Sequence, residues 1–274
     1  MNRLVILAPN WLGDAVMALP AIADLRRAAP AAFISVAARP SVAPLFALVP
    51  GVNDTLVLGP EAARRLEGKS FDTALLLPNS TRAALVSRRA GIPERWGYRT
   101  GWRGALLTRA IPPARDLHQV EYYQHLVHAL GFSNGPKEPI VRPTTEAYAA
   151  GRQLLTASGW NGRTPLMALA PGAAYGGAKR WPPQYFAELV DGLEGDGVQC
   201  VMIGAAADAA TASEIAKHDA RASGAHAPLN LVGRTDLSTL AGVLANCRGL
   251  VTNDSGAMHL AAAIGIPVTA MFGP

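Results

Sequence analysis

Two widely separated stretches of the chain begin alike: Val5-Ile-Leu-Ala-Pro9 and Met167-Ala-Leu-Ala-Pro171. Each is an apolar run too short for a helix, is stopped by a proline, and leads through a loop into an amphipathic segment. The first run spans 4–8 and the second 166–170. Further runs of the same kind cover 33–37, 55–58, 73–77, 199–203, 249–252 and 268–272. Helix-period segments lie between them, at 15–29, 120–130, 183–193 and 209–217. Strands that are continuously apolar, rather than alternating, are buried on both faces. That is the mark of parallel sheets covered by helices on either side, so the fold class is expected to be α/β.

A chain of 274 residues exceeds the usual single domain and predicts two of medium size. The most linker-like stretch is 133–143, where Asn-Gly-Pro, Glu-Pro and Arg-Pro follow in quick succession. A helical segment is predicted at 144–158 and a loop at 159–165, before a fresh strand opens at Leu166. The expected division is therefore 1–162 and 163–274, two Rossmann-like domains facing each other across a cleft, where open α/β sheets place ligands. The terminal run 267–272 reads as a buried strand and then a turn. A parallel strand normally requires a further crossover, so the second domain is expected to be incomplete in this sequence.

The charge balance is mildly basic, with 25 Lys and Arg against 20 Asp and Glu. The excess is concentrated: eight arginines fall between Arg82 and Arg115, with Glu94 the one acid among them. Such a field favours an anionic partner, although a plain solvated basic surface has the same composition. No nucleic-acid module accompanies it, so nucleic acid is not an expected partner. Two cysteines, Cys200 and Cys247, make neither a disulfide framework nor a metal spacing, and a cytoplasmic protein is expected. The N-terminal apolar run is too short for a signal peptide, and no run is long enough to span a bilayer. Membrane contact would have to be peripheral.

Three strand-to-helix loops carry chemistry-bearing residues. In Pro9-Asn-Trp-Leu-Gly13-Asp14, glycine permits a tight turn and Asp14 sits at a helix start, either as a capping group or as a general base at a cleft mouth. In Pro171-Gly-Ala-Ala-Tyr-Gly-Gly-Ala-Lys179-Arg180, glycines, adjacent cations and a following helix suit an anion, though a Gly-rich turn with exposed cations has the same look. It is not a P-loop, because Ala178 intervenes before Lys179 and Arg180 stands where a magnesium-binding hydroxyl is needed. In Thr252-Asn253-Asp254-Ser255-Gly256-Ala257-Met258-His259, capping groups crowd one helix start. There is no G-x-G-x-x-G after a strand, which disfavours a nicotinamide dehydrogenase, and no Asp-x-Asp pair to hold a metal-bound nucleotide. His118, His125 and His128 fall on one predicted helix and read as a solvated face, not a metal site.

Together the motifs resemble a known family, the ADP-heptose:lipopolysaccharide heptosyltransferases, inverting enzymes of GT-B architecture. The matching stretches are Ala8-Pro-Asn-Trp-Leu-Gly-Asp-Ala-Val-Met-Ala, Leu77-Pro-Asn-Ser, His118-Gln-Val-Glu-Tyr-Tyr, Ala170-Pro-Gly-Ala-Ala-Tyr-Gly, Ala178-Lys-Arg-Trp-Pro-Pro, Asn253-Asp-Ser-Gly-Ala-Met-His-Leu-Ala-Ala-Ala and Phe272-Gly-Pro. They span nearly the whole chain. They are more similar to the branch that adds the second heptose than to the branch that adds the first.

The resemblance implies an acceptor-binding N-terminal domain, a donor-binding C-terminal domain, ADP-heptose as donor, no required metal or other cofactor, and an anionic lipopolysaccharide inner core as acceptor. It implies peripheral contact with the cytoplasmic face of the inner membrane. Asp14 is then the expected base. Gly13, Lys179, Arg180, Asn253, Asp254, Ser255, Gly256, Ala257, Met258 and His259 are expected at the donor, and Arg82, Arg88, Arg89, Arg99 and Arg103 at the acceptor. Another GT-B nucleotide-sugar transferase, or a non-catalytic sugar-nucleotide or lipid A-binding protein, is the competing reading.

Overall fold

A computed structural model describes residues 1–172, 180–218 and 227–272. The contacts divide the chain into two compact units, Met1–Val141 and Arg142–Pro274. The first runs β1 (Arg3–Leu7), α1 (Leu12–Met17), α2 (Leu19–Ala28), β2 (Phe33–Ala38), α3 (Ala43–Phe46), β3 (Asp54–Val57), α4 (Ala62–Leu66), β4 (Thr73–Leu76), α5 (Thr81–Arg89), β5 (Glu94–Tyr98), a 3-10 turn at Gly101–Leu106, β6 (Arg109–Ile111) and α6 (Gln119–Ala129). The second runs α7 (Thr145–Ala157), β7 (Leu166–Ala170), α8 (Pro183–Gly195), β8 (Gln199–Met202), a 3-10 turn at Ala206–Asp208, α9 (Ala209–His218), β9 (Leu229–Asn230), α10 (Leu237–Ala245), β10 (Gly249–Asn253), α11 (Gly256–Ile264) and β11 (Val268–Met271).

Every described strand pairing is parallel. The first sheet has the order β3-β2-β1-β4-β5-β6 and the second β9-β8-β7-β10-β11. These are the same winding: the chain moves outward from the first strand, then returns to its other side. Each sheet therefore reverses direction at one place, between β1 and β4 or between β7 and β10. At such a reversal the crossover helices leave to opposite faces and a crevice opens at the carboxyl ends of the strands.

The α/β expectation holds, and so does the reason for it. Leu4, Val5 and Ile6 of β1 are fully buried, as are Ala168 and Leu169 of β7. Burial of each of the Leu, Val and Ile side chains contributes about 1.5–3 kcal/mol. The strands β5, β6 and β9 were not read from the sequence. β5 and β6 hide in the arginine-rich stretch, and β9 is only two residues long.

The division by contacts falls at 141/142, whereas the sequence placed it after residue 162. Helix α7 accounts for the difference. It packs on α10 of the second unit, where Gly151 and Gly242 lie so close that a Cβ on either would overlap backbone of the partner helix. Amphipathic periodicity shows that a helix has a core face without showing which core it serves. In the first unit, buried Asp24 on α2 accepts from Gln124 Nε2 of α6 at 2.9 Å and from the Gly135 amide at 3.0 Å, fastening α6 and the segment after it to α2. Among the described residues no helix is long and apolar enough to cross a membrane.

Candidate active site

Four of the motif-bearing segments, in their described residues, follow the strands that flank the two reversals. In the first unit, Pro9–Asp14 follows β1 and Leu77–Ser80 follows β4. In the second, the Gly-rich loop follows β7, and Asp254–Ser255 follows β10.

Asp14 is the third residue of α1, whose N-cap is Trp11 without a side-chain cap. It is therefore not the capping residue itself, but a half-buried acid in the first turn, where the helix dipole favours negative charge. Behind it lies Tyr123 of α6, buried. Desolvation, and then the negative charge of Asp14, push the Tyr123 phenol above its ordinary range, so that hydroxyl stays protonated. Gly13 precedes Asp14, half-buried in the same turn.

The neighbouring loop after β4 is gripped from behind. Arg103 Nη1 donates to the Pro78 carbonyl, Thr100 Oγ1 donates to the Asn79 carbonyl at 3.0 Å, and Asn79 Nδ2 donates to Tyr122 Oη at 2.8 Å. Tyr98 Oη donates in turn to the Tyr122 carbonyl at 2.6 Å and lies 2.9 Å from His125 Nδ1. His125 thus turns inward to an aromatic cluster, while His118 caps α6 and His128 meets the Phe132 carbonyl. The histidine-bearing helix is not the uniformly solvated face expected. Among the described residues no group of three or more potential metal ligands is brought together.

A cavity of about 600 Å³ opens on this edge of the first sheet, lined by the ends of β1 and β2, the segment after β3, and the start of α5. Its walls are mainly apolar, including Leu7, Leu58 and Val86, and its polar groups are Asn10, Arg39, Ser80 and Arg82. Of the five arginines expected at the acceptor, only Arg82 lines it. Arg99 is exposed just beyond β5. Arg88 and Arg89 occupy the last turn of α5, roughly 10 Å along the helix from Arg82, where they complement the helix dipole instead.

Arg103 requires a correction. It is fully buried, with Nε and Nη2 lacking a hydrogen-bond partner. Burial holds its guanidinium below the usual arginine range. It supports the Pro78–Ser80 loop and offers no surface charge. The close approach needs Gly97, since a Cβ there would lie 2.6 Å from Arg103 Nη2. Arg39 is the residue the sequence reading missed, an isolated cation after β2 that only the cavity brings together with Arg82.

The second reversal is built differently. Asn253 is fully buried at the end of β10. Its Nδ2 donates to the Pro171 carbonyl at 2.7 Å, and its Oδ1 accepts from the Trp181 amide at 3.0 Å. One side chain thus ties both ends of the Gly-rich loop to β10. The expectation that Asn253 touches the donor is therefore corrected: its amide is already used within the fold.

Ser255 caps α11, with Oγ accepting from the Met258 amide at 3.4 Å and lying 3.0 Å from Thr252 Oγ1. Asp254, Ser255, Gly256, Ala257, Met258 and His259 are all half-buried around this helix start. Arg180 is exposed, and Lys179 lies outside the described residues. A residue not foreseen is Asp208, whose carboxylate sits against Gly172 and Gly204 and accepts from the Ala205 amide at 3.0 Å. It places an acid beside the start of the Gly-rich loop, where a Cβ on Gly172 would clash with it.

Residues 61–274 match the family described as glycosyltransferase family 9 (heptosyltransferase). The chain is 33% identical to lipopolysaccharide heptosyltransferase 2 of Salmonella typhimurium over 295 residues, covering 99% of this chain and 83% of that protein. The structure of E. coli ADP-heptose lps heptosyltransferase II superposes with a TM-score of 0.85 at 32% identity, over 100% of this chain and 85% of the other. A glycosyltransferase family 9 structure from Veillonella parvula, 22% identical, shares the fold with a TM-score of 0.86, over 98% of this chain and 80% of the other. The paired parallel units are those of the GT-B architecture. With most of its length matched by the profile and a third of its residues shared with curated members, the chain belongs to glycosyltransferase family 9, the heptosyltransferases.

Proposed function

We propose that this protein transfers heptose from ADP-heptose to the heptosylated inner core of lipopolysaccharide, with inversion at the anomeric carbon. The observation that supports the reading is that the described residues of four motif-bearing segments follow the strands flanking the two sheet reversals, one pair in each unit. Asp14 acts as base: it takes the proton of the acceptor hydroxyl as that oxygen bonds to the anomeric carbon. Proton transfer of this kind typically contributes on the order of 10²–10⁴-fold. Tyr123 behind Asp14 stays neutral and therefore does not compete for that proton.

The bond from the anomeric carbon to the diphosphate breaks, and ADP departs with the electron pair. Its developing charge is met by the amides at the start of α11 around Ser255, Gly256 and Ala257, by Arg180, and by Lys179 beside it in sequence. Asp254 and Asp208 offer carboxylates to sugar hydroxyls. Met258 and His259 line the nucleotide side, and no step calls for a metal. The acceptor lies on the first unit, with Arg82 and Arg99 toward its anionic groups, and the enzyme works at the cytoplasmic face of the inner membrane.

The test is transfer from ADP-heptose to purified heptosylated and unheptosylated acceptors. Product on the heptosylated acceptor alone is expected. Transfer from UDP- or GDP-sugars, or onto the unheptosylated acceptor only, overturns the assignment.

A further inference from the structure

Resting on the reading that Asp14 is the base, we infer that Tyr122, with Tyr98 and His125 behind it, is a positioning residue for the transfer. It holds the loop after β4 in register with the turn that bears Asp14. These two segments flank the first reversal and are far apart in sequence, yet α6 reaches both from behind. Tyr122 Oη accepts from Asn79 Nδ2 at 2.8 Å, in the loop after β4. The next residue, Tyr123, is buried, its phenol feels the charge of Asp14, and α6 packs on α1. Successive helical residues point about 100° apart. One rigid helix thus serves both sides of the reversal with neighbouring side chains.

Tyr122 is itself held. Tyr98, fully buried on β5, lays a tilted ring against it with centroids 4.4 Å apart. Tyr98 Oη lies 2.6 Å from the Tyr122 carbonyl and 2.9 Å from His125 Nδ1. The proton count fixes the roles. A carbonyl cannot donate, so the single hydroxyl proton of Tyr98 goes to Tyr122. His125 Nδ1 must then carry a proton and donate to Tyr98 Oη, which assigns the imidazole tautomer. Burial holds the Tyr98 phenol above its ordinary range, so it remains a donor. An imidazolium keeps its Nδ1 proton, and the relay from His125 through Tyr98 and Tyr122 to Asn79 survives either charge state of the histidine.

The far end of the relay is where it acts. Asn79 is exposed, and its bond to Tyr122 orders a surface loop instead of filling a core. Arg103 and Thr100 hold the backbone of that loop, and Tyr122 holds its side chain. Pro78 and Ser80 line the same cavity as Asn10, which lies on the loop leading to Asp14. A hydroxyl that gives its proton to Asp14 must be aligned with it, and a displacement of about 1 Å in the supporting groups can cost on the order of 10²-fold in rate. Supports whose own rotamers are locked by packing and hydrogen bonds provide that alignment.

A double-mutant cycle between Tyr122→Phe and Asn79→Ala tests the link. Y122F keeps the ring and removes only the hydroxyl. Each single variant is expected to lower kcat by about ten-fold, and the double variant by no more than either alone, with ADP affinity unchanged. Losses that multiply, a loss carried by ADP affinity, or a lowered unfolding midpoint with kcat unchanged each overturn the positioning role. The tautomer supplies a second arm. In His125→Asn the amide nitrogen takes the place of Nδ1, whereas in His125→Gln it reaches the place of Nε2. H125N is expected to recover most of the kcat that H125Q loses, and the reverse order overturns the relay. Hydrogen exchange requires no turnover: the amides of residues 79–82 should exchange faster in Y122F while those of the second unit keep their rates. Unchanged exchange at 79–82 overturns the proposal whatever the activity. Absence of transfer by wild type counts against the functional reading, and the support of the loop then stands or falls on the exchange alone.

Discussion

The two sheet reversals share one topology and are finished in opposite ways. At the second, the described ends of the loop after β7 are tied to β10 by buried Asn253, and beside them the described residues include a helix start with its capping groups and amides and exposed Arg180. At the first, the support seen among the described residues comes from a different direction. The β4 loop is held from behind by Arg103, Thr100 and Tyr122, and a cavity stays open between the strand ends. Identical winding thus yields one edge where the described residues present a capped helix start with its amides, and another shaped by side chains around a cavity.

If that contrast is correct, damage at each reversal should have its own signature. Asp14→Asn keeps shape and hydrogen-bonding capacity but removes the base. Turnover should fall by about 10²–10⁴-fold while ADP affinity, read by titration calorimetry, stays within about two-fold. Parallel loss of both would place Asp14 at the donor.

Asn253→Ala should do the converse. It leaves the Pro171 carbonyl and Trp181 amide without their partner, lowering unfolding free energy by about 1–3 kcal/mol and weakening ADP by about ten-fold. Intact ADP binding in a destabilised variant would mean that the stitch serves stability alone.

Gly242→Ala tests which unit α7 serves. The added methyl meets the Ala147 backbone, and a loss of about 1–3 kcal/mol is expected, confined to the second unit in a hydrogen-exchange experiment. Protection lost in the first unit would contradict the division at 141/142.

The smallest effect is expected from Asp236→Ala at the start of α10. Asp236 Oδ1 accepts from the Thr239 amide at 2.7 Å, and that hydrogen bond holds its carboxyl below the usual carboxylate range. A group depressed on folding stabilises the folded state at neutral pH and loses that contribution as pH falls through its lowered value. The variant should therefore cost about 0.5–2 kcal/mol near neutrality, and the gap to wild type should close in acid. A gap that is constant with pH would exclude the charged cap.

How much of this was legible in the sequence follows from which forces act locally. Continuous apolar runs announce buried parallel strands wherever they are uninterrupted, and the twin openings at Val5 and Met167 foreshadow the duplicated winding. β5 escaped because Glu94-Arg-Trp-Gly-Tyr98 carries charges at its exposed end, and only Trp96–Tyr98 turns fully inward. The loops at the reversals were recognisable from their glycine, proline and capping residues.

The roles of individual residues within those loops were less visible. Asn253 and Arg103 look like surface ligands in one dimension, because polar residues in motif loops usually are. Their burial arises from strands and helices far away in sequence. Arg39 gave the opposite error: a single arginine after a strand carries no signal until tertiary structure brings it to the same cavity as Arg82.

Because each parallel ladder presents its carboxyl edge as a row of separate loops, the residues that meet ligands are carried by segments the cores do not need. A change of length or composition after β2 or β3 can reshape the cavity of the first unit without altering a strand register.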